Sequence, residues 1–200
     1  MLTDWRLIDG FERRECRPLR NAQGVVLSRE RSLANWWDMH HVLMTRVNEI
    51  RHRAQMTTPY PVRVVVMPNG GFALDGHSPE SLHGQYMLNV VRDLDEPMIG
   101  RALDFTIEEK IKGVWTPWPW DKQALHCWKW LDKSFGLGVY PFWERNRKQS
   151  PGIHVDYRED IADRNPAVWV RWKNGIYATT TFKNFHELIR EVTVETSMTA

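Results

Sequence analysis

From Ser32 to Gln55 the residues Leu33, Trp36, Trp37, His40, Leu43, Met44, Val47 and Ile50 recur at three- and four-residue steps. That period predicts a helix with one face on a core, and Ser32 or Asn35 is available as its N-cap. TTPYP then breaks the helix, and VRVVVM, residues 62 to 67, follows with the β-branched content of a buried strand. A helix feeding a strand is thus the organising unit of the chain.

The remainder continues in the same mixed manner. PNGGFALDGHSPESLHG is a glycine-, proline- and serine-rich loop, the kind of segment that carries side chains to a site from a rigid scaffold. YMLNVVRDLDEP fits a short amphipathic helix and GRALDFTI a strand. DKQALHCWKWLDKSF, residues 121 to 135, reads as a helix with Asp121 near its start and Gly136 to stop it. GLGVYPFW and PGIHVDYRE read as two strands joined by the charged loop ERNRKQS. AVWVRWKNGIYATT, with Asn174 and Gly175 at its turn, reads as a hairpin. FKNFHELIREV closes the chain as a short helix, after which the last residues fray. The expected fold class is α+β, a small antiparallel sheet backed by helices. Residues 1–31 read as an irregular N-terminal arm and 32–200 as one domain.

Composition narrows the function classes. Hydrophobic content of 42% with 26% charged residues is that of a folding, globular chain. A net charge of +2 is too even to argue for nucleic-acid binding. Cys16 and Cys127 are the two cysteines and have no C-x-x-C spacing, so two free thiols are expected. The charged N-terminus lacks the apolar core of a signal peptide, and nowhere do eighteen apolar residues run together. Synthesis in the cytosol without a signal peptide, no membrane span and a monomer are the expectations. Eleven tryptophans are the compositional oddity. Their plain role is packing, while VWTPWPW, residues 114 to 120, fits an exposed ordered loop whose rings could stack on sugar or peptide.

Chemistry concentrates on histidine and aspartate. In GIHVDY, alternation along a strand puts His154 and Asp156 on one face, a pair suited to a metal or to proton transfer. A catalytic zinc takes three protein ligands and leaves a fourth position open. H-E-x-x-H does not occur, so a helix-borne zinc peptidase site is excluded. His83 in SLHG, Asp104 in GRALDF and His154 form the candidate triad, with His77 as an alternative loop ligand. His40 and His41 are neighbours on the expected helix and point about 100° apart, which disfavours joint ligation. His126 and His186 fall on expected helices as packing or surface residues.

S-L-H-G followed by G-R-A-L-D-F, and G-L-G-V-Y-P followed by I-H-V-D, resembles the S-x-H-x-x-G-x-A-x-D and H-x-D signatures of the D-alanyl-D-alanine carboxypeptidase family of zinc peptidases. That family shares its fold with the Hedgehog signalling domain, and the likeness covers residues 32 to 172. It implies one Zn2+ held by His83, Asp104 and His154, with Ser81 supporting the metal-site loop. Asp156 is implied as the catalytic base or as the carboxylate that orients His154, with Glu144 as reserve base. The implied activity is cleavage of peptidoglycan peptides, by an endopeptidase rather than a carboxypeptidase. The implied setting is a phage endolysin released through a holin, or a virion-associated lysin acting at the cell wall. Two features depart from the family. Asp104 follows His83 at a longer spacing, so QYMLNVVRDLDEPM reads as an insertion. VVVMPNGG also lacks the arginine that receives a substrate carboxylate, leaving Arg101 or Arg158 as substitutes. The alternative expectation is a non-catalytic virion or binding module that keeps the fold.

Overall fold

The computed structural model describes residues 2–10, 12–18, 37–68, 70–71, 98–145, 148–158, 168–171, 177–180 and 184–198. The described elements run β1 (Trp37–Met39), α1 (His41–Gln55), β2 (Val62–Val66), β3 (Met98–Gly100), β4 (Ala102–Ile111), β5 (Val114–Pro117) and α2 (Trp120–Trp130). Then follow β6 (Phe135–Arg145), β7 (Lys148–Tyr157), β8 (Val168–Arg171), β9 (Tyr177–Thr180) and α3 (Phe185–Met198). The class is α+β.

The main sheet has the order β2-β4-β7-β6-β8-β9, with β5 on β4, and β1 and β3 make a separate parallel pair. Pairing within the main sheet is antiparallel except between β6 and β8, which run parallel. The sheet is therefore mixed where the sequence suggests a purely antiparallel one. A connection longer than a hairpin separates β6 from β8, with β7 and its return between them, and this frees the two strands to run the same way.

One face of the sheet is apolar. Val62 and Val64 of β2, Leu103, Phe105 and Ile107 of β4, and Ile153 and Val155 of β7 are buried with Leu137 and Val139 of β6 and Val168 and Val170 of β8. Residues of the same core cluster on the helices include Leu43, Met44, Val47, Ile50 and Ala54 of α1, Ala124 and Cys127 of α2, and Phe185 and Ile189 of α3. At roughly 1.5–3 kcal/mol for each large apolar side chain removed from water, this layer is the main source of stability. His126 ties the two helices together, its Nε2 lying 3.0 Å from the Ile50 carbonyl oxygen.

Several boundaries differ from the sequence expectation. The helix α1 begins at His41, with His40 as N-cap, because Trp37–Met39 pair with Met98–Gly100 as a strand; Ser32 and Asn35 lie outside the described residues. The helix α2 ends at Trp130 with Leu131 as C-cap, and Gly136 is a strand residue of β6. The charged loop between β6 and β7 is shorter than expected, since both strands continue to Arg145 and Lys148. VWTPWPW is no exposed loop. Val114–Pro117 pair with β4, Trp118 is buried, and Trp120 opens α2. The strands β8 and β9 pair antiparallel as expected, while the Asn174–Gly175 turn lies outside the described residues, and α3 runs on to Met198. The segment YMLNVVRDLDEP falls outside the described residues. Cys16 and Cys127 are free and buried.

Residues of the first thirty-one also join the domain. Thr3 donates its hydroxyl to the Met39 carbonyl at 2.8 Å, and Ile8 and Cys16 belong to the core cluster. Asp9 accepts from Asn48 and Arg51 of α1.

The strand β4 is shared along one edge. Ala102–Phe105 pair with β7 and Glu108–Ile111 pair with β5, leaving Thr106 and Ile107 in between, with the backbone groups of Ile107 turned to the gap. Its backbone is not left unsatisfied: the N–H donates to Gln123 Oε1 at 2.9 Å and the carbonyl accepts from the Trp118 N–H at 2.9 Å. Gln123, fully buried, also donates to the Trp118 carbonyl at 2.7 Å. Gln123→Leu removes these partners while keeping an apolar filler. We expect it to lower unfolding free energy by about 2–4 kcal/mol, since two buried backbone groups lose their partners, read as a shifted urea midpoint at unchanged m-value.

Candidate functional site

The opposite face of the sheet is built differently. Alternation puts Ala102, Asp104 and Thr106 of β4 there, with His154 and Asp156 of β7, Gly136, Gly138 and Tyr140 of β6, and Trp169 and Arg171 of β8. The register sets Asp104 directly opposite His154, and Gly138 opposite His154 on its other side.

Asp104 is held at both backbone ends. Its N–H donates to the Gly70 carbonyl at 2.6 Å and its carbonyl accepts from the Met67 N–H at 2.9 Å. A Cβ on Gly70 would come within 2.5 Å of the Asp104 carbonyl oxygen, so only glycine lets the chain after β2 approach this closely.

His154 lies between two carboxylates. Its Nδ1 is 2.7 Å from Asp104 Oδ1 and its Nε2 is 3.1 Å from Asp156 Oδ2. Asp156, 1% exposed, is also gripped by Arg158 through Nε and through Nη2, the latter at 2.7 Å. Burial alone would push the His154 imidazole down, but the hydrogen bonds and charges of Asp104 and Asp156 outweigh it and raise the pKa to about 9. For Asp156, burial is outweighed by Arg158 and His154, and the pKa falls to about 2. The result is a line of alternating charge, Arg158, Asp156, His154, Asp104, with each imidazole N–H donating to a carboxylate.

Tyr140 stands nearby on the same face. Burial pushes its phenol far above the usual value, the negative charge of Asp104 adds to this, and Arg171 opposes it. Trp169 lies beside His154 with ring centroids 5.5 Å apart.

No family model, no curated protein and no solved structure matches the chain. The assignment of residues to roles therefore rests on geometry.

Of the residues singled out from sequence, Asp104, His154 and Asp156 come together. His83, Ser81 and His77 lie outside the described residues. Glu144 pairs with Gln149 near the far end of the β6–β7 hairpin, five residues along β7 from His154 and so about 17 Å of extended strand away. Arg158, considered as a substrate arginine, is committed to Asp156. His40 stacks on Tyr157 at 4.7 Å, and His186 meets Trp128 edge-on at 4.3 Å, both in packing positions.

Among the described residues no three His, Cys, Asp or Glu side chains converge on one metal position. Two donors of the right kind do converge: a carboxylate oxygen and an imidazole nitrogen, with the second imidazole nitrogen on a carboxylate. That is the support metal-ligating histidines ordinarily have, and the pair fits two of the three places around a zinc ion. A dication there would displace the proton the two groups share, as metal binding to a histidine requires.

Trp169, Gly136 and Gly138 are site residues that the sequence did not single out. Gly136 lies under Asp156, where a Cβ would meet Oδ2 at 2.5 Å. We expect Gly136→Ala to destabilise by about 1–3 kcal/mol through overpacking. It should also shift the His154 ring proton resonances, because Asp156 must move; denaturant titration and NMR check both effects.

Proposed function

We propose that the chain is a zinc-dependent peptidoglycan peptidase with the Hedgehog and D-alanyl-D-alanine peptidase type of domain, an endopeptidase in a phage lysin setting. The observation that carries this reading is the 2.7 Å approach of Asp104 to His154 Nδ1 with Asp156 on the far nitrogen. These residues belong to the two sequence pieces, GRALDF and IHVD, that resemble the family's signatures. The mixed α+β architecture, with the last histidine on a central strand, agrees with it.

His83, Asp104 and His154 would hold the metal, and Ser81 would steady the loop that delivers His83. Zinc, when bound, supplies a Lewis acid that acidifies water and polarises a peptide carbonyl. The chain's own part is positional. Asp156 fixes the tautomer and tilt of the imidazole so that Nδ1 faces Asp104. Its carboxylate is already occupied by His154 and Arg158, which favours this orienting role over that of a base. Arg158 keeps Asp156 ionised at any working pH. Tyr140, its hydroxyl held protonated by burial, stands beside the site.

Zinc analysis of the full chain purified without chelator should give about one ion per molecule, and lysis of purified peptidoglycan should vanish with His83→Ala, Asp104→Ala or His154→Ala. Asp156→Asn should retain the metal at about 10- to 100-fold lower affinity. Absence of zinc at useful occupancy after reloading would remove the peptidase reading.

One observation favours a second reading. The line Arg158, Asp156, His154, Asp104 is charge-balanced with a proton alone, as an ion-pair network in a non-catalytic virion or binding module would be. In that case added zinc does not bind, and His154→Ala destabilises the fold by about 3–5 kcal/mol, because buried carboxylates lose their partner.

A further inference from the structure

A ledge of rings leads from His154 across β6 toward the β8–β9 edge of the sheet. Trp169 lies over Gly138, where a Cβ would collide with the indole, and this brings its ring beside His154. Tyr140 and Tyr177 each meet Trp169 edge-on, with centroids at 4.9 Å and 5.2 Å. Tyr177 is 51% exposed, and the Arg171 guanidinium sits over its ring at 5.7 Å. The ledge thus runs from an imidazole that is 12% exposed to an exposed cation.

Among the described residues the cation has no carboxylate partner. On the same face Arg63 pairs with Glu108 at 2.7 Å and Arg158 pairs with Asp156. Arg171 is exposed, and its guanidinium sits over the Tyr177 ring. Stacking on an aromatic ring also restricts an arginine and leaves its N–H edge free for a planar anion.

Distance fixes what such an anion can be. From His154 to Trp169 is two strand spacings, about 9.5 Å, and Arg171 lies two residues further on, about 7 Å. The backbone positions of Arg171 and His154 are then roughly 12 Å apart, the span of about three extended residues. We propose that this ledge is a substrate subsite: Trp169 and Tyr177 pack against an extended peptide, and Arg171 receives a peptide carboxylate two or three residues from the bond held at His154. The inference rests on the peptidase reading for the chemistry at His154, and it makes Arg171 a specificity residue in place of the arginine that VVVMPNGG lacks.

The test uses the zinc-loaded full chain and muropeptides from a muramidase digest of peptidoglycan, native and after amidation of their carboxyl groups. For the wild type, amidation should raise KM about 10- to 100-fold, the worth of a charge-assisted hydrogen bond pair. Arg171→Gln should show that higher KM already on native muropeptides and respond no further to amidation, with kcat, zinc content and melting temperature kept. Arg171→Lys should recover part of the loss. An unchanged KM in Arg171→Gln, or an equal response of both proteins to amidation, overturns the proposal. If the wild type cleaves neither set, the peptidase reading fails, and binding of the same two sets followed by tryptophan fluorescence then decides the subsite alone. A preference of the wild type for the native set that Arg171→Gln lacks supports it; equal binding or none overturns it.

Discussion

The register of β4 against β7 is the constraint on which the polar face depends. Asp104 stands opposite His154 because Leu103 stands opposite Val155 and Phe105 opposite Ile153, and those four side chains are fully buried on the other face. Side chains alternate with a period of two, so a slip of β4 by one residue would turn Leu103 and Phe105 outward and Asp104 into the hydrophobic layer. Four large apolar side chains at about 1.5–3 kcal/mol each outweigh what the polar rung contributes by itself. The apolar packing against the helices therefore places the ionisable groups, rather than the reverse.

Once placed, those groups must satisfy one another. Asp104 and Asp156 are almost without solvent contact, where an unpaired carboxylate would cost several kcal/mol. Alternation of sign along Arg158, Asp156, His154 and Asp104 removes that penalty pair by pair. The same alternation fixes the imidazole in its plane, because each nitrogen has a carboxylate on its own side. The bridging proton between Nδ1 and Asp104 is the one member of the line that can exchange for a dication without moving the others far. A prepaired site of this kind suits either a metal centre or a structural ion-pair chain.

The common face of His154 and Asp156 was legible in the sequence because it needs only local alternation. Their meeting with Asp104 was not derivable from pattern, since it joins strands fifty positions apart; the family likeness suggested it and the register supplies it. Trp37 shows why the helix start was misplaced. Trp37 and Met39 are buried in β1 at an i, i+2 step, and these residues also satisfy a helical period when read continuously with Leu43 and Met44. Gly136 shows the same ambiguity for glycine: after a helix it reads as a stop, while its physical reason is the carboxylate packed over it. Gln123 carries no signal at all, because a helical glutamine filling a gap in a ladder looks like one facing water.

Glycine also explains how the polar face can be both crowded and ordered. Two glycines within three residues weaken β6 by about 0.5–1 kcal/mol each relative to alanine, and each makes room for one particular group, Asp156 over Gly136 and Trp169 over Gly138. A sheet that needed only a buried ion pair could bury it under ordinary side chains. Here the thin floor lowers Asp156 onto the backbone, where it reaches His154 from the side away from Asp104, and lays Trp169 flat enough to wall the imidazole on its third side. With carboxylates at both nitrogens and an indole beside the ring, the side chain at 154 has one geometry available to it. That restriction is what a histidine acting at a fixed point in space requires.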